Sequence, residues 1–166
     1  RYVGFISDLL DLIERRIGVR FKRIPSGNRE SGIQIAESES ALFSSDLMKN
    51  GTSRMRYTED FFAIPVVVLG APGATPLSDL SQLNGKKVAI NSCYEFSNKF
   101  QKKFSNINFH FTTTVREGLL RLAAGEVDGF MVPLHAGEHG MKELGLTDLK
   151  IVLVTNELLE IGFRVK

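Results

Sequence analysis

The sequence predicts an α/β chain, as one domain or two small lobes. Apolar residues change period along the chain, from three-and-four spacing to alternation and back, so helices and strands interleave. Two strongly apolar runs, residues 61–70 and 127–132, are short and bounded by turn residues, as buried strands are. After the first run comes "APGATP" at residues 71–76, a break suited to a lobe boundary.

Residues 4–17 read as a helix, because Phe5, Leu9, Leu12, Ile13 and Ile17 share one face and Gly18 offers a left-handed stop. "VRFKRI" at 19–24 alternates and predicts a strand. Residues 29–37 predict a weaker helix with Gly32 inside it, and 40–46 a short strand running into a polar, turn-rich loop. Pro65 in "FFAIPVVVLG" lacks the N–H of a ladder and argues for an edge or crossover strand. "SDLSQL" predicts a short helix and "KKVAIN" a strand. Ser92 and Glu95 form the pattern Ser-x-x-Glu, a capping box opening a helix over 93–104. "NFHFTT" alternates as a strand. Thr114 and Glu117 repeat the capping pattern before a helix that stops at Gly125. Residues 127–132 are a strand ended by Pro133, followed by a helix to Leu144 with Gly145 at its end. "LKIVLV" and "EIGFRV" predict two more strands.

Composition bounds the function. At 166 residues, 43% hydrophobic and 24% charged, the chain can bury a core and is not a disordered polyelectrolyte. A net charge of +2, with basic pairs only at Lys86-Lys87 and Lys102-Lys103, gives no nucleic-acid footprint. The single Cys93 excludes an intrachain disulfide. No stretch approaches a membrane span of about 20 apolar residues.

Several pieces in order carry a resemblance: "YVGFISDLLDLIERRIGVRF", "YTEDFFAIPVVVLG", "LSDLSQLNGKKVAI" and "AAGEVDGFMV", together with the helix, Gly stop, strand and helix of residues 118–146. Together they resemble the type II periplasmic solute-binding domains, the bilobed Venus flytraps. The first helix and "RYTEDFFAIPVVVL" are most similar to the flytraps of BvgS-type sensor kinases. The resemblance implies two α/β lobes, each a mixed sheet flanked by helices: one from residues 1–70 plus 152–166 and another from 75–150, with crossings near 69–75 and 152–156. It also implies a first strand before Arg1 and a closing helix after Lys166. The implied role is extracytoplasmic ligand sensing in the periplasm, without catalysis or cofactor. The implied partners are a small-molecule ligand and neighbouring flytrap or transmembrane kinase segments, and a homodimer is compatible. The alternative is a free receptor of an amino-acid transporter.

In amino-acid-binding members of that family, an Arg about six positions before a Phe-Ser pair grips the ligand carboxylate through two parallel hydrogen bonds. Here the ungapped position is Gly51, and a loop shift would bring Arg54 or Arg56 there. The family's Thr at the preceding strand end falls on Asp46, and its amine-binding Asp falls on Pro133. Asp46 reads either as a carboxylate starting a loop or as one facing the cleft and favouring a cation. Ser44 and Ser45 read as cleft lining or strand-end packing. Ser92, Cys93 and Tyr94 sit where the family turns a helix start toward its ligand; they read either as an anion site with a reactive thiol or as plain capping and packing. Three altered polar contacts argue against an ordinary α-amino acid, leaving a different ligand or a degenerate cleft.

His135, Glu138 and His139 match the string His-x-x-Glu-His of inverted zinc peptidases. Gly137 and Gly140 loosen that helix and no third ligand stands at a defined spacing, so a zinc hydrolase is a remote reading. Neither a Walker loop nor a dinucleotide loop occurs.

Overall fold

The computed structural model describes residues 5–26, 29–39, 43–46, 56–94 and 96–165. The chain divides into two compact units: Arg1–Ser45, Asn50–Glu59 and Gly162–Lys166 form the first, and Asp46–Lys49 with Asp60–Ile161 form the second. The expected lobes divide the chain elsewhere, at 70 and 152.

In the first unit, helix α1 (Phe5–Ile17) is amphipathic as expected, although none of its residues is buried. Helix α2 (Arg29–Glu39) runs through Gly32. Strand β1 (Phe43–Asp46) covers the end of the expected 40–46 strand. A two-residue strand that the pattern did not signal, β2 (Arg56–Tyr57), pairs antiparallel with Val165 and Arg164. The expected strand at 19–24 is absent. Side chains from α1 take up that segment instead: Phe21 N donates to Glu14 Oε1 at 2.6 Å, and Arg23 pairs with Asp11 and Glu14. A backbone donor spent on a carboxylate cannot join a ladder.

The second unit holds a five-stranded mixed sheet in the order β7-β3-β6-β4-β5. Its strands are β3 (Phe62–Gly70), β4 (Lys87–Asn91), β5 (Asn108–Thr112), β6 (Gly129–Pro133) and β7 (Lys150–Val165), the last continuing past Ile161 into the first unit. β4 runs parallel to β5 and β6, whereas β3 is antiparallel to β6 and β7. β3 is therefore a central strand, which corrects the edge reading drawn from Pro65. The proline is tolerated because pairing with β6 begins only at Val66, and the register with β7 slips between Pro65 and Val67. β7 is one strand where two were expected. Its irregular stretch is held by Thr155, whose buried hydroxyl donates to Val66 O at 2.8 Å.

A core lies on each face of this sheet. Ile64, Val66, Val68, Val88, Ile90 and Met131 pack one way, with Phe96 and Phe100 of α3 (Phe96–Lys103). Val67, Leu69, Ala89, Phe130 and Val132 pack the other way, with Leu119 and Leu122 of α4 (Val115–Ala123). α5 (Leu134–Leu144) covers the same face, where Gly137 lets it approach Val132 and Leu69. The strands thus send successive side chains to opposite faces.

The start of α4 and the end of α5 follow their sequence signals. Thr114 Oγ1 accepts from Glu117 N at 3.1 Å, and Glu117 reaches back to Thr113 N at 2.9 Å. Gly145, at φ 65°, ends α5 with its N–H on Lys142 O, while Leu146 N bonds to Met141 O. "SDLSQL" forms one 3-10 turn, Leu80–Leu83, capped by Asp79. Among the described residues no helix is long and apolar enough to cross a membrane.

Candidate functional site

Parallel strands end together, so the carboxyl ends of β4, β5 and β6 make one edge of the second unit's sheet. Ser92, Cys93 and Tyr94 follow β4 at that edge, Thr112 closes β5 there, and Pro133 closes β6. Ser92 and Cys93 are exposed, Tyr94 is half-buried, and Pro133 is buried.

The turn after β4 is organised by a residue the sequence reading passed over. Asn91, only 3% exposed, accepts from Cys93 N through Oδ1 at 2.8 Å. Its carbonyl accepts from Ser97 Oγ at 2.6 Å and from Tyr94 N at 3.4 Å. Ser92 donates both N–H, at 2.9 Å, and hydroxyl, at 3.1 Å, to Thr112 O. Cys93 Sγ leans on Thr113 O at 3.4 Å. An Asx turn at Asn91 therefore occupies the stretch where a helix was expected from Cys93, and α3 starts at Phe96. Glu95, the other half of the expected box, lies outside the described residues.

The change has a chemical consequence. The N–H groups of Ser92, Cys93, Tyr94 and Ser97 all have partners within the chain. A ligand at this turn would meet the Ser92 hydroxyl, the Cys93 thiol and the Tyr94 ring rather than a row of free backbone donors. Tyr94 stacks on Phe96 with ring centres 5.3 Å apart, so its ring is held by the core beneath it. Thr112, 1% exposed, adds a hydroxyl with no hydrogen-bond partner among the described residues. The signal that could have found Asn91 is the Asn-Ser pair after an apolar strand, a turn-forming sequence in its own right.

Other candidates fall elsewhere. Ser44, Ser45 and Asp46 lie in β1. Gly51 and Arg54 lie outside the described residues, and Arg56 is an exposed residue of β2. Pro133 is the residue before α5 and provides no side-chain cap. His135, in the first turn of α5, titrates below its ordinary value because burial penalises its charged form and His139 adds repulsion. His139 faces Glu143 at 3.3 Å. Among the described residues no three His, Cys, Asp or Glu side chains gather where a metal could bind.

An open cavity of about 460 Å³ lies at the opposite, amino-terminal edge of the same sheet, between Gly70, Thr75, Gln82, Lys86, Asp128 and Val152. None of the sequence-predicted site residues lines it. Asp128 is held there as a structural group, accepting from Lys87 N at 2.8 Å and donating its own N–H to Lys87 O at 2.7 Å.

No family model and no curated protein matches the sequence. Solved structures do match. The chain is similar to the periplasmic VFT2 domain of BvgS from Bordetella pertussis, with a TM-score of 0.83 and 17% identity, over 96% of this chain and 69% of that one. A histidine kinase sensor domain with similarity to periplasmic binding proteins gives a TM-score of 0.78 and 18% identity, over 96% of this chain and 71% of the other. Holo ArgBP from T. maritima gives 0.73 and 18%, over 99% of this chain and 73% of that protein. At these identities the likeness speaks for the fold: the chain has the Venus-flytrap fold of the periplasmic binding and sensor domains.

Proposed function

We propose that this chain is the extracytoplasmic ligand-sensing domain of a membrane-bound signal-transducing histidine kinase. A small molecule bound between two lobes shifts their open–closed equilibrium by its preference for one state, and partner segments read the shift. The observation that carries this reading is the likeness to two sensor domains, one of them from BvgS, over nearly the whole chain. The domain is non-catalytic in this reading; any catalysis belongs to a parent kinase. Its partners are neighbouring flytrap or transmembrane kinase segments, and it works in the periplasm.

A second reading, a free solute-binding receptor, is favoured by the similarity to an arginine-binding protein. The sequence flanking this one separates the two, since a transmembrane helix and kinase accompany a sensor only. In either case Pro133 at a strand end supplies neither carboxylate nor N–H, which disfavours a ligand held there by its amine.

The test is a thermal-shift screen against amino acids, polyamines, dicarboxylates and aromatic acids. A ligand of the native state raises the melting temperature by mass action. One chemical class is expected to do so reproducibly. A flat response to every class would contradict small-molecule sensing by this domain.

A further inference from the structure

Glu157 stands in an irregular stretch of β7. Pro65 pairs with Leu158 and Val67 with Val154, so four steps of β7 oppose two of β3. Thr155 braces the extra residues, donating its hydroxyl to Val66 O at 2.8 Å and accepting from Glu157 N at 3.2 Å. The bulge re-aims the Glu157 carboxylate at α3. One oxygen meets Lys99 Nζ at 2.8 Å and the other Lys103 Nζ at 2.7 Å. The two lysines are four residues apart, hence on one helix face, and Glu157 itself is 19% exposed. α3 is the direct continuation of the Asn91–Tyr94 turn, tied to it by Ser97 Oγ on Asn91 O.

We propose that Glu157 is a positioning residue: through Lys99 and Lys103 it clamps α3 to β7, and so holds the Ser92–Tyr94 turn in its ligand-facing form. This rests on the reading of that turn as part of the ligand site. Because both lysines are well exposed, the clamp weakens as salt screens it. The turn's mobility thereby becomes sensitive to ionic strength. β7 continues into the first unit, so the clamp joins the turn to the strand that leaves its unit.

Cys93, the chain's single cysteine and exposed within the turn, is a native reporter. Its reaction with a chromogenic aromatic disulfide is followed at low and high salt in the wild type, in Glu157→Gln and in Lys99→Met/Lys103→Met. Both variants are expected to react about threefold faster at low salt, the scale of a partly exposed ion pair. They should also lose the salt-induced acceleration of the wild type. Melting temperatures measured alongside separate local loosening from global unfolding. Wild-type rates and salt response in Glu157→Gln would overturn the proposal, as would acceleration that merely tracks lost global stability. The assay uses no ligand, so its failure counts against the clamp alone, whereas a failed ligand screen counts against the ligand reading.

Discussion

Phe130→Ala is expected to destabilise the second unit by about 3–5 kcal/mol, the range for an aromatic ring removed from a closed core. Phe130 is fully buried in the middle of β6, between Leu69 on β3 and Ala89 on β4, under α4 and α5. Neighbours fixed in a sheet cannot collapse into the space it leaves, so the cavity cost adds to the lost transfer energy. A small domain has only about 5–15 kcal/mol in total. Equilibrium urea denaturation should show the midpoint falling steeply. A loss below about 1 kcal/mol would mean that the ring is not enclosed as described.

The second large effect comes from the other side of the same contact. Gly118, in the middle of α4, lies against the Phe130 ring, and a Cβ there would stand 2.5 Å from both Cε2 and Cζ. Helix propensity alone makes Gly118→Ala stabilising by about 1 kcal/mol. Overpacking against a ring with no free direction to turn is expected to reverse the sign, for a net loss of roughly 1–2 kcal/mol. The clash should couple the sites. In a double-mutant cycle with Phe130→Leu, the alanine should regain at least about 0.5 kcal/mol. A stabilised Gly118→Ala would contradict the close packing of α4 on β6.

Those packing features were partly legible in the sequence. The order of helices and strands in the second unit follows from period changes, and its helix ends from Thr114, Glu117, Gly125 and Gly145. Each of these signals is satisfied by atoms a few residues away. Signals that depend on distant partners were not legible. Alternation in "VRFKRI" cannot reveal that Glu14 takes the Phe21 N–H. Pro65 in a central strand becomes readable only once the β7 register and the end of β6 at Pro133 are known. The helix start expected at Cys93 falls instead in a turn that Asn91 organises, its two oxygens accepting from Cys93, Tyr94 and Ser97. Of the candidate site, the strand ends just before Ser92 and at Pro133 were legible, because their signals are local. The reading passed over Asn91, whose turn signal is local, and it missed Thr112, whose place beside that turn arises from the β4–β5 pairing.

We propose that this domain binds its small molecule at the carboxyl edge carrying Ser92–Tyr94. The most direct measurement is a calorimetric titration of wild type and Cys93→Trp with amino acids, polyamines, dicarboxylates and aromatic acids. Because Cys93 is exposed, tryptophan there is expected to obstruct the turn while the melting temperature holds. The account predicts that one class binds the wild type and that Cys93→Trp weakens it at least about tenfold, or roughly 1.4 kcal/mol. Equal affinity in both proteins, or no binding by any class, would contradict it.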